Sequence, residues 1–87
     1  MGGLGADYFV RRVITLGPGD ERPYDPDEWW DSIVCVQEGE VELEGATGSL
    51  ARFKTGDVLW LTGLPLRTLH NRGERPAVLV AVRRPPA

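Results

Sequence analysis

The sequence predicts an all-β fold, a small barrel or sandwich of about seven or eight short antiparallel strands. No segment shows a sustained helical period of apolar residues. Turn-forming positions recur along the chain instead, at residues 17–19, 22–23, 38–39, 45–48, 55–57, 63–65, 71–73 and 75–76. Between these positions lie β-rich segments of strand length, a pattern that is typical of barrels and sandwiches.

The first half of the chain contains three predicted strands. Residues 8–16 carry the apolar anchors of the first strand. Residues 32–37 are apolar on both faces, which suits a strand covered by the barrel interior on one side and by a partner on the other. After Gly39, residues 40–44 alternate glutamate with valine or leucine, so this strand has one wet face and one dry face.

The second half continues with shorter segments. Residues 45–48 form a predicted hairpin turn in which glycine supplies the positive φ. Residues 49–53 return from that turn, and 58–61 follow the next glycine. Residues 67–70 lead into a turn at 71–73, and 77–83 form the last strand.

Size and composition predict one globular domain. We assign residues 1–87 to a single domain, with a core at about 8–83 and loose ends at 1–6 and 84–87. The hydrophobic share of 41% and the charged share of 26% are ordinary for a folded domain. A chain this short buries only about 60% of its unfolded surface, so we expect a homodimer that hides more apolar area.

Charge and cysteine content argue against several classes of function. A net charge of −3 disfavours binding to nucleic acid through phosphate neutralisation. Cys35 is the single cysteine, which rules out an intramolecular disulfide and a cysteine zinc site and is consistent with a cytoplasmic protein. Residues 1–6 lack the features of a secretory signal, and the apolar run 77–82 is too short to cross a membrane.

Two stretches of the chain keep a fixed spacing of glycine and polar residues. The first contains Gly19, Asp25, Asp27, Ser32 and Gly39. The second contains Gly56, Thr62, Leu64, Arg67 and Asn71.

These stretches resemble the two signature motifs of the cupin family, G-x5-H-x-H-x4-E-x6-G and G-x5-P-x-G-x2-H-x3-N. The resemblance covers about residues 15–82 and implies a small jelly-roll β-barrel of the cupin type. In that family two histidines, a glutamate and a third histidine hold a metal ion inside the barrel. The corresponding positions here are Asp25, Asp27, Ser32 and Arg67.

These four residues argue against a tightly bound metal and predict no cofactor. Ser32 is a poor ligand, and the permanent cation of Arg67 repels a metal ion. His70 is the only histidine and lies three positions beyond the ligand position, so alternation places it on the opposite face from Arg67. Weak binding of a hard cation by Asp25 and Asp27 remains open.

Arg67, Asp25 and Asp27 are the candidate catalytic residues. A guanidinium inside a barrel could clamp a carboxylate or phosphate. The alternatives, which we favour, are that Arg67 pairs with Asp25 or Asp27, or that it extends to the rim. Either aspartate could act as a general acid or base, although a solvated acidic turn explains both more simply.

Other residues are candidates for contacts with a ligand inside the barrel. Trp60 could stack on a flat ligand or belong to the core, and Asn71 is expected to brace a turn. At least one of Trp29 and Trp30 should be buried. The candidate ligand-binding set is Ser32, Val34, Trp60, Arg67, Leu69 and Asn71.

Three functions follow from these observations. The first is a metal-free domain that binds a small anionic or aromatic molecule. The second is a metal-independent isomerase, epimerase, cyclase or lyase that uses Asp25 or Asp27 with Arg67. The third is a structural domain that dimerises through its first strand and an apolar sheet face. None of the three involves nucleic acid or a membrane.

Overall fold

A computed structural model describes residues 9–85 and shows eight strands with no helix among them. The strands are β1 (Val10–Leu16), β2 (Glu21–Pro23), β3 (Ser32–Glu38), β4 (Glu40–Gly45), β5 (Leu50–Lys54), β6 (Val58–Trp60), β7 (Leu66–His70) and β8 (Ala77–Arg83). The predicted all-β fold is confirmed. Accordingly, the described residues contain no helix long and apolar enough to span a bilayer.

The strands form two four-stranded antiparallel sheets that pack face to face. Sheet I has the order β1-β8-β3-β6, and sheet II has the order β2-β7-β4-β5. The chain passes from one sheet to the other at most of its turns, so sequence neighbours such as β1 and β2 lie in different layers. This crossing pattern is that of a jelly roll.

Most predicted strands differ from the structure by one residue at a boundary, and two differences affect the first two strands. The predicted turn at 22–23 lies in the short strand β2, where Arg22 pairs with Leu69 of β7. The first strand begins at Val10 rather than at residue 8, which is outside the described residues. The predicted loose ends 1–6 and 86–87 also lie outside the described residues, and residues 84–85 form no strand.

Gly39 is required where the chain passes from sheet I to sheet II between β3 and β4. Its φ of 72° lies in the left-handed region, which side chains larger than hydrogen rarely adopt. A Cβ atom at this position would also collide with the backbone of Pro76 and Ala77. The glycine therefore permits both the sharp turn and the close approach of the segment before β8.

The interior of the barrel is filled by side chains of both sheets. Inward residues alternate along each strand, as the pleat requires. The buried hydrophobic residues are Ile14, Leu16, Trp29, Val34, Val36, Val41, Leu43, Leu59, Leu61, Leu69, Ala77, Leu79 and Ala81. Trp29 is the largest of them and has no exposed surface, although it lies in the turn before β3 rather than in a strand.

Truncation of Leu79 tests whether this interior is closely packed. Leu79 is fully buried on the central strand β8, where it pairs with Ile14 and Val36. We expect Leu79→Ala to lower the free energy of unfolding by about 2–5 kcal/mol, because it leaves a cavity that the sheets can only partly close. Urea denaturation should show a lower midpoint with an unchanged slope.

Leu50→Ala is the matched control, because Leu50 is 58% exposed on the edge strand β5. Its effect should stay within about 0.5 kcal/mol. Equal effects of the two substitutions would contradict the packing described here.

Candidate functional site

The two aspartates of the first spacing frame lie on the surface. Asp25 and Asp27 are exposed in the turn after β2, and the Asp25 carboxylate accepts a hydrogen bond from the Asp27 N–H at 3.0 Å. This is the local geometry of an Asx turn. Their position agrees with the interpretation of a solvated acidic turn and places neither carboxylate inside the barrel.

Three of the candidate ligand contacts are interior residues. Val34 and Leu69 are fully buried members of the core. Ser32 is 1% exposed, and its hydroxyl donates to the Trp30 carbonyl at 3.2 Å. The polar group of Ser32 is therefore engaged by the neighbouring backbone.

Arg67 is exposed on the outer side of sheet II, so it neither enters the barrel nor pairs with the aspartates. Its guanidinium donates to the Glu44 carboxylate at 3.2 Å and to the Ala46 carbonyl at 2.8 Å. It forms no ion pair with Asp25 or Asp27. The segment that carries the aspartates contacts Arg67 through the backbone, where the Tyr24 N–H donates to the Arg67 carbonyl at 2.9 Å.

The expectation that Arg67 and His70 face opposite sides is wrong. The pairing of β4 with β7 shifts register between Glu44 and Gly45, which disrupts the alternation at Arg67. Both side chains consequently reach Glu44, with His70 Nε2 lying 2.8 Å from its carboxylate. His70 also lies 3.3 Å from the Glu21 carboxylate on β2.

Trp60 lies on the surface of the barrel, whereas Asn71 is buried. Trp60 is 52% exposed on the outer face of sheet I, so it belongs neither to the core nor to an interior pocket. Asn71 is buried, and its amide donates to the carbonyls of Leu16 at 3.0 Å and Arg75 at 2.7 Å. Asn71 thus braces its turn as predicted, and the structure does not bring the six candidate ligand contacts together.

Residues 24–31, which we call the closing segment, cover the end of the barrel where β3 begins. The Tyr24 hydroxyl donates to the Leu61 carbonyl at 2.6 Å. At the other end, the Asp31 N–H donates to the Thr62 hydroxyl at 2.9 Å, and that hydroxyl lies 3.3 Å from the Trp29 carbonyl. These contacts hold Trp29 inside the barrel, while Trp30 is exposed.

Glu28 of the closing segment is held by arginines from two strands. The guanidinium of Arg22 donates to both oxygens of the Glu28 carboxylate, with the Nε contact at 2.9 Å. Arg12 lies 3.8 Å from the same carboxylate and donates to the Glu28 carbonyl at 2.5 Å. The hydrogen bond from Arg22 is the main reason that the pKa of Glu28 lies below its ordinary value.

The sequence contained one signal for this arginine arrangement. Arg12 shares its strand face with Ile14 and Leu16, so alternation alone places it on the interior side. Its partner Glu28 is 16 positions away, in a segment without strand periodicity. The pairing therefore could not be derived from spacing.

The outer face of sheet II carries a network of charged side chains. Glu42 is buried between Arg72, which donates to it, and Arg52 at 3.5 Å. The hydrogen bond from Arg72 lowers the pKa of Glu42, and the contact with His70 lowers the pKa of Glu44. Among residues 9–85, no group of three or more His, Cys, Asp or Glu side chains is arranged to hold a metal ion.

The outer face of sheet I is apolar, in contrast with sheet II. The apolar residues among its outward side chains, which we call the apolar face, are Val13, Ile33, Cys35, Val58, Trp60, Val78, Val80 and Val82. Of these, Val13, Ile33, Val58 and Trp60 are each more than half exposed. Phe9 extends the outward row of β1 and is 52% exposed.

Two surface clefts lie away from the closing segment. One of about 520 Å³ opens at the opposite end of the barrel, where Gly39, Thr55, Asn71 and Arg75 are among its lining residues. Another of about 330 Å³ lies beside β5 and is lined mainly by apolar groups, including Leu43, Phe53 and Leu66. Both are open to solvent, and neither contains the candidate catalytic residues.

Solved structures with the same architecture include cupin domains. The cupin domain of Cnp3 from Schizosaccharomyces pombe is 20% identical, with a TM-score of 0.71 over 91% of this chain and 54% of the other. A Cupin 2 conserved barrel domain protein from Salinispora arenicola is 21% identical, with a TM-score of 0.68 over 85% and 60%. A double-stranded β-helix protein from Klebsiella pneumoniae is 26% identical, with a TM-score of 0.70 over 90% and 68%.

These comparisons establish a small cupin-like fold and leave the function open. The chain spans little more than half the length of the yeast protein's chain. No family model and no curated protein sequence matches it. The predicted resemblance to the cupin architecture is confirmed at the level of fold, and fold alone does not determine function.

The ion pairs of Glu28 predict a specific dependence of stability on pH. Because the pKa of Glu28 is lower in the folded state, its contribution is complete above the unfolded value of about 4.3 and is lost as pH falls below that value. In Glu28→Gln, the loss of unfolding free energy between neutral and acidic pH should be smaller than in the wild type. Denaturant titrations across this pH range measure the difference.

Glu74→Gln is the matched control, because Glu74 is exposed and lies outside these ion pairs. Its pH dependence should follow that of the wild type. An unchanged pH dependence in Glu28→Gln would show that the pairs with Arg22 and Arg12 contribute nothing to folding.

Proposed function

We propose that this chain is a metal-free interaction domain that forms a homodimer through the apolar face. The observation that supports this function is the exposure of four large hydrophobic side chains on one sheet, Val13, Ile33, Val58 and Trp60. Soluble monomers rarely expose contiguous apolar patches of more than a few hundred Å². Covering this face is therefore energetically favourable.

The dimensions of sheet I determine how much of a partner it can cover. With strands about 4.8 Å apart and about 3.3 Å of length per residue, four strands of up to seven residues project an area of roughly 400 Å². A standard interface buries about 800 Å² of accessible surface on each partner. Side chains that project from the sheet, together with the exposed Phe9 beside β1, add accessible surface beyond this projected area.

Charge placement favours a second copy of the chain as the occupant. Among the described outward residues of sheet I, Arg11 and Glu38 carry charge, and they lie at opposite ends of the face. A twofold axis across the strands would place Arg11 of each protomer near the Glu38 end of its partner. The uncharged centre of the face would then pack against the same region of the partner without charge repulsion.

The catalytic hypothesis has less support from the geometry. An enzyme that uses Asp25 or Asp27 with Arg67 needs these groups around one ligand. Instead, both aspartates are exposed, and Arg67 is bound to Glu44 on the outer side.

The metal-free part of the proposal rests on the residues at the motif positions, since Ser32 and Arg67 replace two ligands of the cupin motif. The single Cys35 supports a cytoplasmic location.

Substitution of Ile33 by glutamate tests the proposed dimer. Ile33 is 55% exposed on β3, between β8 and β6, so a carboxylate there would be buried without a partner in the dimer. We expect Ile33→Glu to weaken dimerisation by at least about 100-fold, which corresponds to 2.7 kcal/mol or more. Sedimentation equilibrium of the wild type and the variant measures this change.

Leu50→Glu is the matched control, because Leu50 is similarly exposed but lies on sheet II. This variant should dimerise like the wild type, and circular dichroism should show both variants folded. A wild type that stays monomeric at high concentration, or equal effects of the two substitutions, would refute the proposal.

A further inference from the structure

Three arginines converge on the inner side of the barrel beneath the closing segment. Arg12 on β1 shares its face with Ile14 and Leu16, and Arg22 on β2 pairs with the interior residue Leu69. Arg83 on β8 shares its face with the buried Ala81 and pairs with Ser32 at the start of β3. Three positive charges therefore come from three different strands at one end of the barrel.

Glu28 supplies a carboxylate that is paired with two of these three guanidinium groups. Glu28 is bound through both oxygens by Arg22 and approached by Arg12, as described above. Among residues 9–85, Arg83 makes no ion pair, and its buried Nε atom has no hydrogen-bond partner. Buried donors without partners are unfavourable, so this cluster has capacity for a further acceptor.

Trp29 places an aromatic ring next to this carboxylate. Its ring is fully buried, and the guanidinium carbon of Arg12 lies 5.8 Å from the ring centre. Within the described residues, the indole N–H has no hydrogen-bond partner, and it is the smallest of the causes that lower the pKa of Glu28. Glu28 and Trp29 together present a carboxylate and an aromatic ring to the same end of the barrel.

We propose that Arg12, Arg22 and Arg83 form a binding site for an aromatic monocarboxylate, which Glu28 and Trp29 occupy in the absence of ligand. A ligand acid would replace the carboxylate of Glu28 on the arginines, where bidentate pairing favours a planar anion. Its ring would replace Trp29 in the hydrophobic core. This site is separate from the dimer proposed through sheet I.

The closing segment can move without breaking a strand. It lies between β2 and β3, and its residues are turns rather than members of a sheet. The contacts that fasten it to the loop after β6 involve the Tyr24 hydroxyl and the Thr62 side chain. Movement of the segment therefore breaks no strand pairing, provided that the ring of the ligand takes the place of Trp29 in the core.

Because a ligand must displace Glu28 and Trp29, we expect its affinity for the wild-type protein to be weak. The ligand gains contacts like those that Glu28 and Trp29 lose, while it gives up its own translational freedom. Its apparent affinity is further reduced by the small fraction of molecules with an open segment. Removal of the negative charge of Glu28 should therefore increase the affinity for the ligand acid.

Glu28→Gln provides the test, because it removes the competing charge and keeps Trp29 in the core. The probes are phenylacetate and its neutral analogue phenylacetamide, followed by two-dimensional NMR of the amide groups. We expect Glu28→Gln to bind phenylacetate at least about tenfold more tightly than the wild type does. The shifts should centre on Arg12, Arg22, Arg83 and residues 24–32, with much weaker effects of phenylacetamide.

Arg22→Ala in the Glu28→Gln background is the matched control and should abolish the preference for the acid. Equal affinity of the wild type and Glu28→Gln, or equal binding of acid and amide, would overturn the proposal. Equal binding of inorganic phosphate would also overturn it, since the aromatic ring would then play no part.

A measurement on the wild type keeps the test valid if Glu28→Gln is poorly folded. Saturation with phenylacetate should accelerate hydrogen exchange of the amides in residues 24–31, because the ligand favours the open segment. Phenylacetamide should leave these rates unchanged. The absence of any difference between the two compounds would overturn the proposal independently of the variants.

Discussion

The burial of Trp29 is the contact on which the rest of the structure depends. An open end would expose apolar residues of the barrel core to water, which is unfavourable. The indole fills that end from a turn, and the ion pairs of Glu28 hold the turn in place. The space that a metal site would occupy in the cupin motif is thus taken by the protein's own side chains.

Because the end of the barrel is closed, the outer surfaces of the two sheets are the regions available for contact with other molecules. Each of the two sheets has four strands, but their outer surfaces are opposite in character, one apolar and one charged. Sheet II satisfies its outward glutamates with arginines and His70, even where Glu42 is nearly buried. Sheet I has no comparable polar cover, and its valines, Ile33 and Trp60 remain in contact with water. The unfavourable hydration of this face is the physical basis for the proposed self-association.

Sequence patterns were sufficient for the architecture because local rules determine it. The alternation at residues 40–44 correctly places Val41 and Leu43 inside, and Gly39 and Asn71 occupy the turns at which their chemistry is needed. The position of Arg67 could not be predicted, because the register shift between β4 and β7 depends on pairing between distant residues.

The arginine arrangement escaped prediction for a related reason. Arg12, Arg22 and Glu28 meet only after β1, β2 and the closing segment have been assembled. Trp60 was also misassigned, because its strand β6 is short and gave too few alternating positions to separate the inner from the outer side. Contacts that join non-periodic segments need the tertiary structure.

Fluorescence quenching by iodide across a range of protein concentrations tests the central claim most directly. The claim is that the interior is closed by Trp29 while the apolar face is covered by a second copy. In a Trp30→Phe protein, which keeps Trp29 and Trp60, Trp60 should be quenched in dilute solution and protected as concentration rises. Trp29 should be inaccessible throughout. Quenching of Trp60 that is independent of concentration, or quenching of both tryptophans, would contradict the account.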